Sequence, residues 1–228
     1  FLIPRIGNPA LHMGVVILVV LAVNLGLRKQ YLSFRAAPVV KEPFSLRLFR
    51  PLLLLGIISF VVMGGEGAVV DWSGLYLKEI SRAPEFLWGA GFLAFSTTMT
   101  LGRFLGDGIS ARIGSVRMVG GGSLVSLAGY LAVLSELTPV AVTGFALIGL
   151  GFSVIIPELF RIGGKVGGVD SSQGVAFIAG TGYAGFLTAP PILGYLAEDF
   201  SLRTVFWVLL GCACLVWVAT LVLSRRRG

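Results

Sequence analysis

The sequence predicts an all-α membrane protein, and three observations carry that prediction. Seven charge-poor apolar segments fill most of the 228 residues, each near the roughly 20 residues that a bilayer-spanning helix requires. Hydrophobic residues make up 56% of the chain and charged residues 13%, against roughly 25% charge in a soluble domain, so little polar surface is left for water. The loops between segments alternate between rich and poor in Lys and Arg, as cytoplasmic and external loops do.

The first segment spans 10–27. The connection after it carries Arg28, Lys29, Arg35, Lys41, Arg47 and Arg50 together with Pro38 and Pro43, and reads as a cytoplasmic linker over 28–49 with a short interfacial helix around Gln30 to Arg35. Six further segments follow at 50–76, 86–106, 116–135, 138–160, 173–197 and 203–223. Their short loops predict antiparallel neighbours and leave no room for a catalytic domain. Arg103, Arg112 and Arg117, then Arg161 and Lys165, then Arg225 to Arg227 mark the loops and tail on the linker's side, whereas Glu79, Glu85, Glu136, Glu198 and Asp199 lie opposite. The positive-inside rule places residue 1 outside and residue 228 in the cytoplasm.

The net charge of +7 therefore belongs to membrane lipids as partners. Nucleic acid is excluded, because no soluble module presents a basic face. Cys212 and Cys214 point to different faces of the last segment and predict no disulfide, and with the single histidine on another segment they form no metal cluster. No nucleophile, base and orienting group converge, and Gly163-Gly164-Lys165 lacks the spacing of a phosphate loop. The chain reads as no enzyme and as needing no cofactor. Phe1 stands where an initiator methionine would, and one segment followed by a long connection and six more reads as a fragment: the last helix of an upstream unit, then a complete six-helix unit.

Many of the 32 glycines lie inside segments, where small residues allow helices to cross closely and also bend beside proline. Among the polar residues, Glu66 stands out in the stretch from Gly64 to Gly74. It lies sixteen residues beyond Arg50, about 24 Å along a helix, which predicts the outer half of the membrane. A carboxylate there faces water, a partner or a transport path, or serves packing alone. Ser73 shares its face, while Asp71 points elsewhere and, with Trp72, either joins the path or approaches the outer interface.

Ser96, Thr100, Arg103 and Asp107 form one stripe at helical spacing, so Arg103 and Asp107 can pair directly while Arg112 approaches from beyond the turn. The cluster is either a conformation-dependent lock or an ordinary interfacial network. Glu158 follows Pro157 near the cytoplasmic end of its segment, within reach of water and of Arg161; Pro157 bends or ends that helix. In the sixth repeat of the pattern, Thr181, Gly185 and Thr188 share a face, Tyr183 offers a hydroxyl to a ligand or a neighbouring helix, and Pro190 and Pro191 predict a break near the outside. That break is a hinge or a static kink.

The segment Gly102-Arg103-Phe104-Leu105-Gly106-Asp107 with Arg112-Ile113-Gly114 resembles the cytoplasmic loop signature of the major facilitator superfamily, departing from it at Gly108, where a basic residue is common. The stretch Glu66 to Leu77, with Gly182-Tyr183-Ala184-Gly185-Phe186 and Pro190-Pro191, resembles a bacterial branch of sugar-permease-like and rhizopine-uptake-like proteins. The resemblance covers essentially the whole chain. It implies the C-terminal six-helix bundle of such a transporter over 50–228, preceded by the last helix of the N-terminal half over 1–27, in the bacterial cytoplasmic membrane.

By that resemblance the helices bearing Glu66 and Glu158 border a central cavity, and Arg103, Asp107 and Arg112 belong to a cytoplasmic gate. It further implies alternating-access transport of a small solute, a sugar or sugar derivative, with a proton as coupling ion and Glu66 as its carrier. The missing N-terminal half would be the structural partner. Efflux of amphipathic compounds, or a nontransporting receptor or assembly role, are the competing expectations.

Overall fold

The computed structural model describes residues 9–28 and 50–225. Contacts divide the chain into two units, Phe1–Phe44 and Ser45–Gly228. In the first, the unbroken apolar run forms α1 (Pro9–Leu27), in which the Asn24 amide donates to the Val20 carbonyl at 2.8 Å, satisfying a polar side chain within the helix itself. The linker expected over 28–49, with its short helix, lies outside the described residues apart from Arg28, and so do the last three residues.

The second unit contains six long helices among the described residues: α2 (Leu53–Glu79), α3 (Ala90–Ile113), α4 (Ser115–Val133), α5 (Thr138–Gly163), α6 (Ser171–Asp199) and α7 (Leu202–Arg225). Five of these, α2 and α4 to α7, are long and apolar enough to cross a membrane. The exception is α3, which carries Arg103, Asp107 and Arg112 within its length. Arg103 was expected within a segment ending near 106, and Asp107 and Arg112 in the loop beyond it; instead the helix runs on to Ile113. Gly114 alone then turns the chain into α4, at φ 86°, a left-handed conformation that favours glycine.

Short loops were expected to make sequence neighbours the main packing partners. The larger interfaces are α2 with α6, α3 with α5 and α4 with α5, while α3 and α4 touch little. Glycine spacing explains this. In α4, Gly122 and Gly129 face Gly151 and Gly144 of α5 in reverse order, and a Cβ on Gly129 or Gly144 would lie 2.7 or 2.6 Å from the other residue's carbonyl oxygen. Only bare backbone fits at such a crossing.

The other two interfaces run in parallel register. Gly56 lies against Phe177 and Thr181, and Gly64 against Gly185 and Ala189, joining α2 to α6; Gly91 lies against Phe145 and Gly102 against Ser153, joining α3 to α5. Each of these pairs is separated by an odd number of intervening helices, so both members cross in the same direction. Above them Tyr76, Phe145 and Phe206 form an aromatic cluster, with Tyr76 and Phe206 centroids 4.4 Å apart. The Tyr76 hydroxyl donates to the Val133 carbonyl at 3.0 Å, fastening α2 to the end of α4.

The prolines do not break their helices. Pro157 lies inside α5, and Pro190 and Pro191 lie inside a continuous α6. A proline deprives the carbonyl four residues earlier of its donor, which for Pro190 is that of Phe186. That carbonyl lies against Gly67 of α2, where a Cβ would stand 3.4 Å from it, so tight packing by the neighbouring helix accompanies the lost bond.

Candidate functional site

Glu66 stands at the midpoint of α2. Arg50 to Leu52 form a 3-10 turn, the α-helix begins at Leu53, and it continues past the expected end at 76 to Glu79. From this midpoint the Glu66 carboxylate faces Arg103 of α3 at 3.9 Å, too long for a hydrogen bond but close enough for charge attraction. Arg103 thus turns toward α2, and the expected pair of Arg103 with Asp107 is replaced by a contact between helices.

Glu66 and Arg103 share the wall of an open-sided cavity of about 450 Å3. Met63 comes from α2, Ile156, Pro157 and Phe160 from α5, and Ala179, Tyr183 and Phe186 from α6. The cavity has one acid, one base and one phenol in an otherwise apolar lining, an arrangement that orients a ligand through few polar contacts. With the Arg103 side chain 53% exposed, this charged pair contributes no more than about 1 kcal/mol.

The other expected cavity residues are distributed elsewhere. Ser73 does share the Glu66 face, but two turns on that face meets Gly91 of α3, and Ser73 is fully buried there beside the packing surface. Asp71 and Trp72 line a separate recess of about 400 Å3 with Glu79 and Glu198, between α2, α6 and α7. Thr181 donates to the Phe177 and Ile178 carbonyls, each at 3.0 Å, and Thr188 to Ala184 at 2.7 Å, so both hydroxyls are turned onto their own helix. Pro190 is half-buried and Pro191 exposed, neither in the cavity wall.

The charged cluster near the ends of α3 and α5 is organised around Arg161. Its guanidinium donates to Asp107 at 2.7 Å and to the Ser110 hydroxyl at 3.2 Å, and lies 3.4 Å from Glu158. Arg112 is exposed and has no ion pair among the described residues. Glu158, expected within reach of water, is 2% exposed, and its Oε2 has no hydrogen-bond partner among the described residues. It lies on the α5 face that also carries Ile155 and Ile162, both buried, so the helix end is covered rather than wetted.

Sequence reasoning passed over Met63, Ile156, Phe160, Ala179 and Phe186 as lining residues. A signal was available for some of them. Met63 precedes Glu66 by three, and Ala179 and Phe186 flank Tyr183 at four and three, the spacing that puts residues on one helical face.

Known transporters share this arrangement of helices. A peptide transporter of the POT family solved in complex with alafosfalin superposes with a TM-score of 0.67 at 20% identity, over 75% of this chain and 38% of that one. The chain shares the helical fold of part of the POT transporters. A second such protein, PepTSo, gives a TM-score of 0.64 at 21% identity over 81% of this chain and 38% of its own. In sequence, the membrane protein MosC of Rhizobium meliloti is 32% identical over 178 residues, 78% of this chain and 44% of MosC. An uncharacterized MFS-type transporter of Yersinia pestis is 34% identical over 175 residues, 76% of this chain and 44% of that protein. No family model matches the chain. The chain spans under half the length of these curated relatives. It is a multi-pass α-helical membrane protein homologous to bacterial transporters, and its membrane is the bacterial inner membrane.

Proposed function

We propose that this chain forms the C-terminal half of a secondary transporter of the major facilitator type, with α2 to α7 as the six-helix bundle and α1 as the last helix of the preceding half. The linker over 28–49 would join the two halves on the cytoplasmic side. The solute is a small polar molecule, a sugar or sugar derivative, moved by alternating access and coupled to protons through Glu66. The observation that carries this reading is the open-sided cavity at the midpoint of α2, whose wall joins Glu66 and Arg103 from different helices. A carboxylate within a membrane-spanning helix is costly unless it serves a path or a partner, and a guanidinium 3.9 Å away gives it one that a proton can displace. The missing half would close the open side. Asp107, Arg161 and Arg112 lie at the opposite helix ends from the aromatic cluster, where a cytoplasmic gate would act.

Export of amphipathic compounds is the second reading, supported by Met63, Ile156, Phe160 and Phe186 in the lining. The deciding measurement is solute uptake by the full-length protein in proteoliposomes with an imposed pH gradient, across monosaccharides, polyols and amphipathic cations. A sugar or polyol should accumulate, and Glu66→Gln should reduce accumulation more than exchange at equilibrium. Unchanged accumulation and pH dependence in the variant would remove Glu66 from the coupling role. Export of the amphipathic probes without sugar movement would favour the second reading, and no flux of any class would point to a receptor or assembly protein.

A further inference from the structure

Two cavities adjoin at the turn between α3 and α4 and share Ile113 and Arg117. The first, about 460 Å3, lies among the start of α4, the end of α5 and the end of α7, with Arg117, Arg161 and Lys165 and the hydroxyl residues Ser115 and Ser224 in its wall. Arg161 spends its charge on Asp107 and Glu158, whereas Arg117 and Lys165 have no carboxylate partner among the described residues. Two cations without a carboxylate partner among the described residues therefore line one recess.

The second cavity, about 260 Å3, runs from Arg117 into the crevice between α3, α4 and α5. Leu105, Ile109, Val125, Leu150 and Val154 give it an aliphatic wall. Gly121 borders its open space, since a Cβ there would meet nothing within 4 Å. Leu105 and Ile109 are 65% and 49% exposed, so the groove opens to the surroundings on the α3 side.

A cation-lined recess continuous with an aliphatic groove, at the side that the basic loops assign to the cytoplasm, matches an amphiphile with an anionic head and a hydrocarbon chain. A free phosphate would use the recess alone and leave the groove unexplained. We propose that the two cavities together bind one anionic phospholipid, with its phosphate against Arg117 and Lys165 and one acyl chain in the groove past Gly121. The bound headgroup lies beside Arg161, so the site is placed to report lipid composition to the Asp107 pair.

The test is retention of lipid by the full-length protein, delipidated and then equilibrated with nanodiscs of phosphatidylglycerol or phosphatidylcholine and read by native mass spectrometry. Phosphatidylglycerol should be retained in preference. Arg117→Gln and Lys165→Gln should each lower that preference about fivefold, the size expected for one basic residue at a membrane surface. Gly121→Phe, which fills the groove and leaves the cations in place, should lower retention of the lipid without changing competition by glycerol phosphate. The charge-keeping pair Arg117→Lys with Lys165→Arg should behave as the parent, which separates loss of charge from loss of folding. Equal retention of both lipids by the parent protein, or undiminished preference in the two Gln variants, would overturn the proposal. Glycerol phosphate displacing all retained lipid, with the Gly121 variant unaffected, would overturn it in favour of a soluble phosphate ligand.

Discussion

The Asp107 carboxylate lies 2.7 Å from the Arg161 guanidinium across 54 positions of sequence, and the same guanidinium lies 3.4 Å from Glu158. The two acids are unequal partners. Asp107 is 76% exposed in its side chain and Glu158 only 3%, so Arg161 matters chiefly to the buried one.

That inequality predicts unequal costs. Asp107→Asn removes an exposed charge and should change stability by no more than about 1 kcal/mol. Arg161→Gln leaves Glu158 buried without a countercharge and should cost at least about 2 kcal/mol. Adding Glu158→Gln to Arg161→Gln should recover most of the loss. Thermal unfolding of the detergent-purified variants checks this, and equal losses for the two single variants would contradict it.

The glycines predict an opposite pair of effects from one kind of substitution. At Gly144 a Cβ would stand 2.6 Å from the Gly129 carbonyl oxygen and 2.7 Å from the Val133 nitrogen, both backbone, so Gly144→Ala should cost about 1–3 kcal/mol. At Gly211 in α7 nothing lies within 4 Å, so Gly211→Ala should gain about 0.5–1 kcal/mol from reduced chain entropy. Melting temperatures of the two variants should move in opposite directions.

Asp170 caps α6, accepting from the Ser172 hydroxyl at 2.5 Å and the Ser172 amide at 2.8 Å. The hydroxyl bond first and the amide bond second hold its carboxyl below the ordinary value of 3.8. A depressed folded-state value means that the cap contributes above the unfolded carboxyl range and is lost as pH falls through the folded value. Hydrogen-exchange protection of the first turn of α6 should therefore drop on acidification, and Asp170→Ala should remove that drop while lowering protection at neutral pH.

Topology gives the fourth test. In a background with Cys212→Ser and Cys214→Ser, Gly167→Cys in the loop before α6 should react with an impermeant maleimide only from the cytoplasmic side, and Glu85→Cys before α3 only from outside. Both positions are exposed. Labelling of the Gly167 position from outside in intact cells would reverse the assigned orientation.

The sequence alone determined that the chain is a multi-pass helical membrane protein and roughly where each helix runs, because apolar length and charge placement are local properties of a chain in a bilayer. It also singled out Glu66, Arg103 and Tyr183, because a polar group in an apolar span stands out by itself, but it assigned the cytoplasmic gate to Arg112 and not to Arg161. Partnership was decided by tertiary structure. Arg103 and Asp107 stand four residues apart, at pairing distance on one helix, yet α2 offers Glu66 to the first and α5 offers Arg161 to the second. The same packing seals Ser73 against Gly91 and Glu158 into the end of α5, and it carries α6 through Pro190 and Pro191 without a break. Close helix crossing is set by where two glycine faces meet in space, and neither face records its partner in its own spacing.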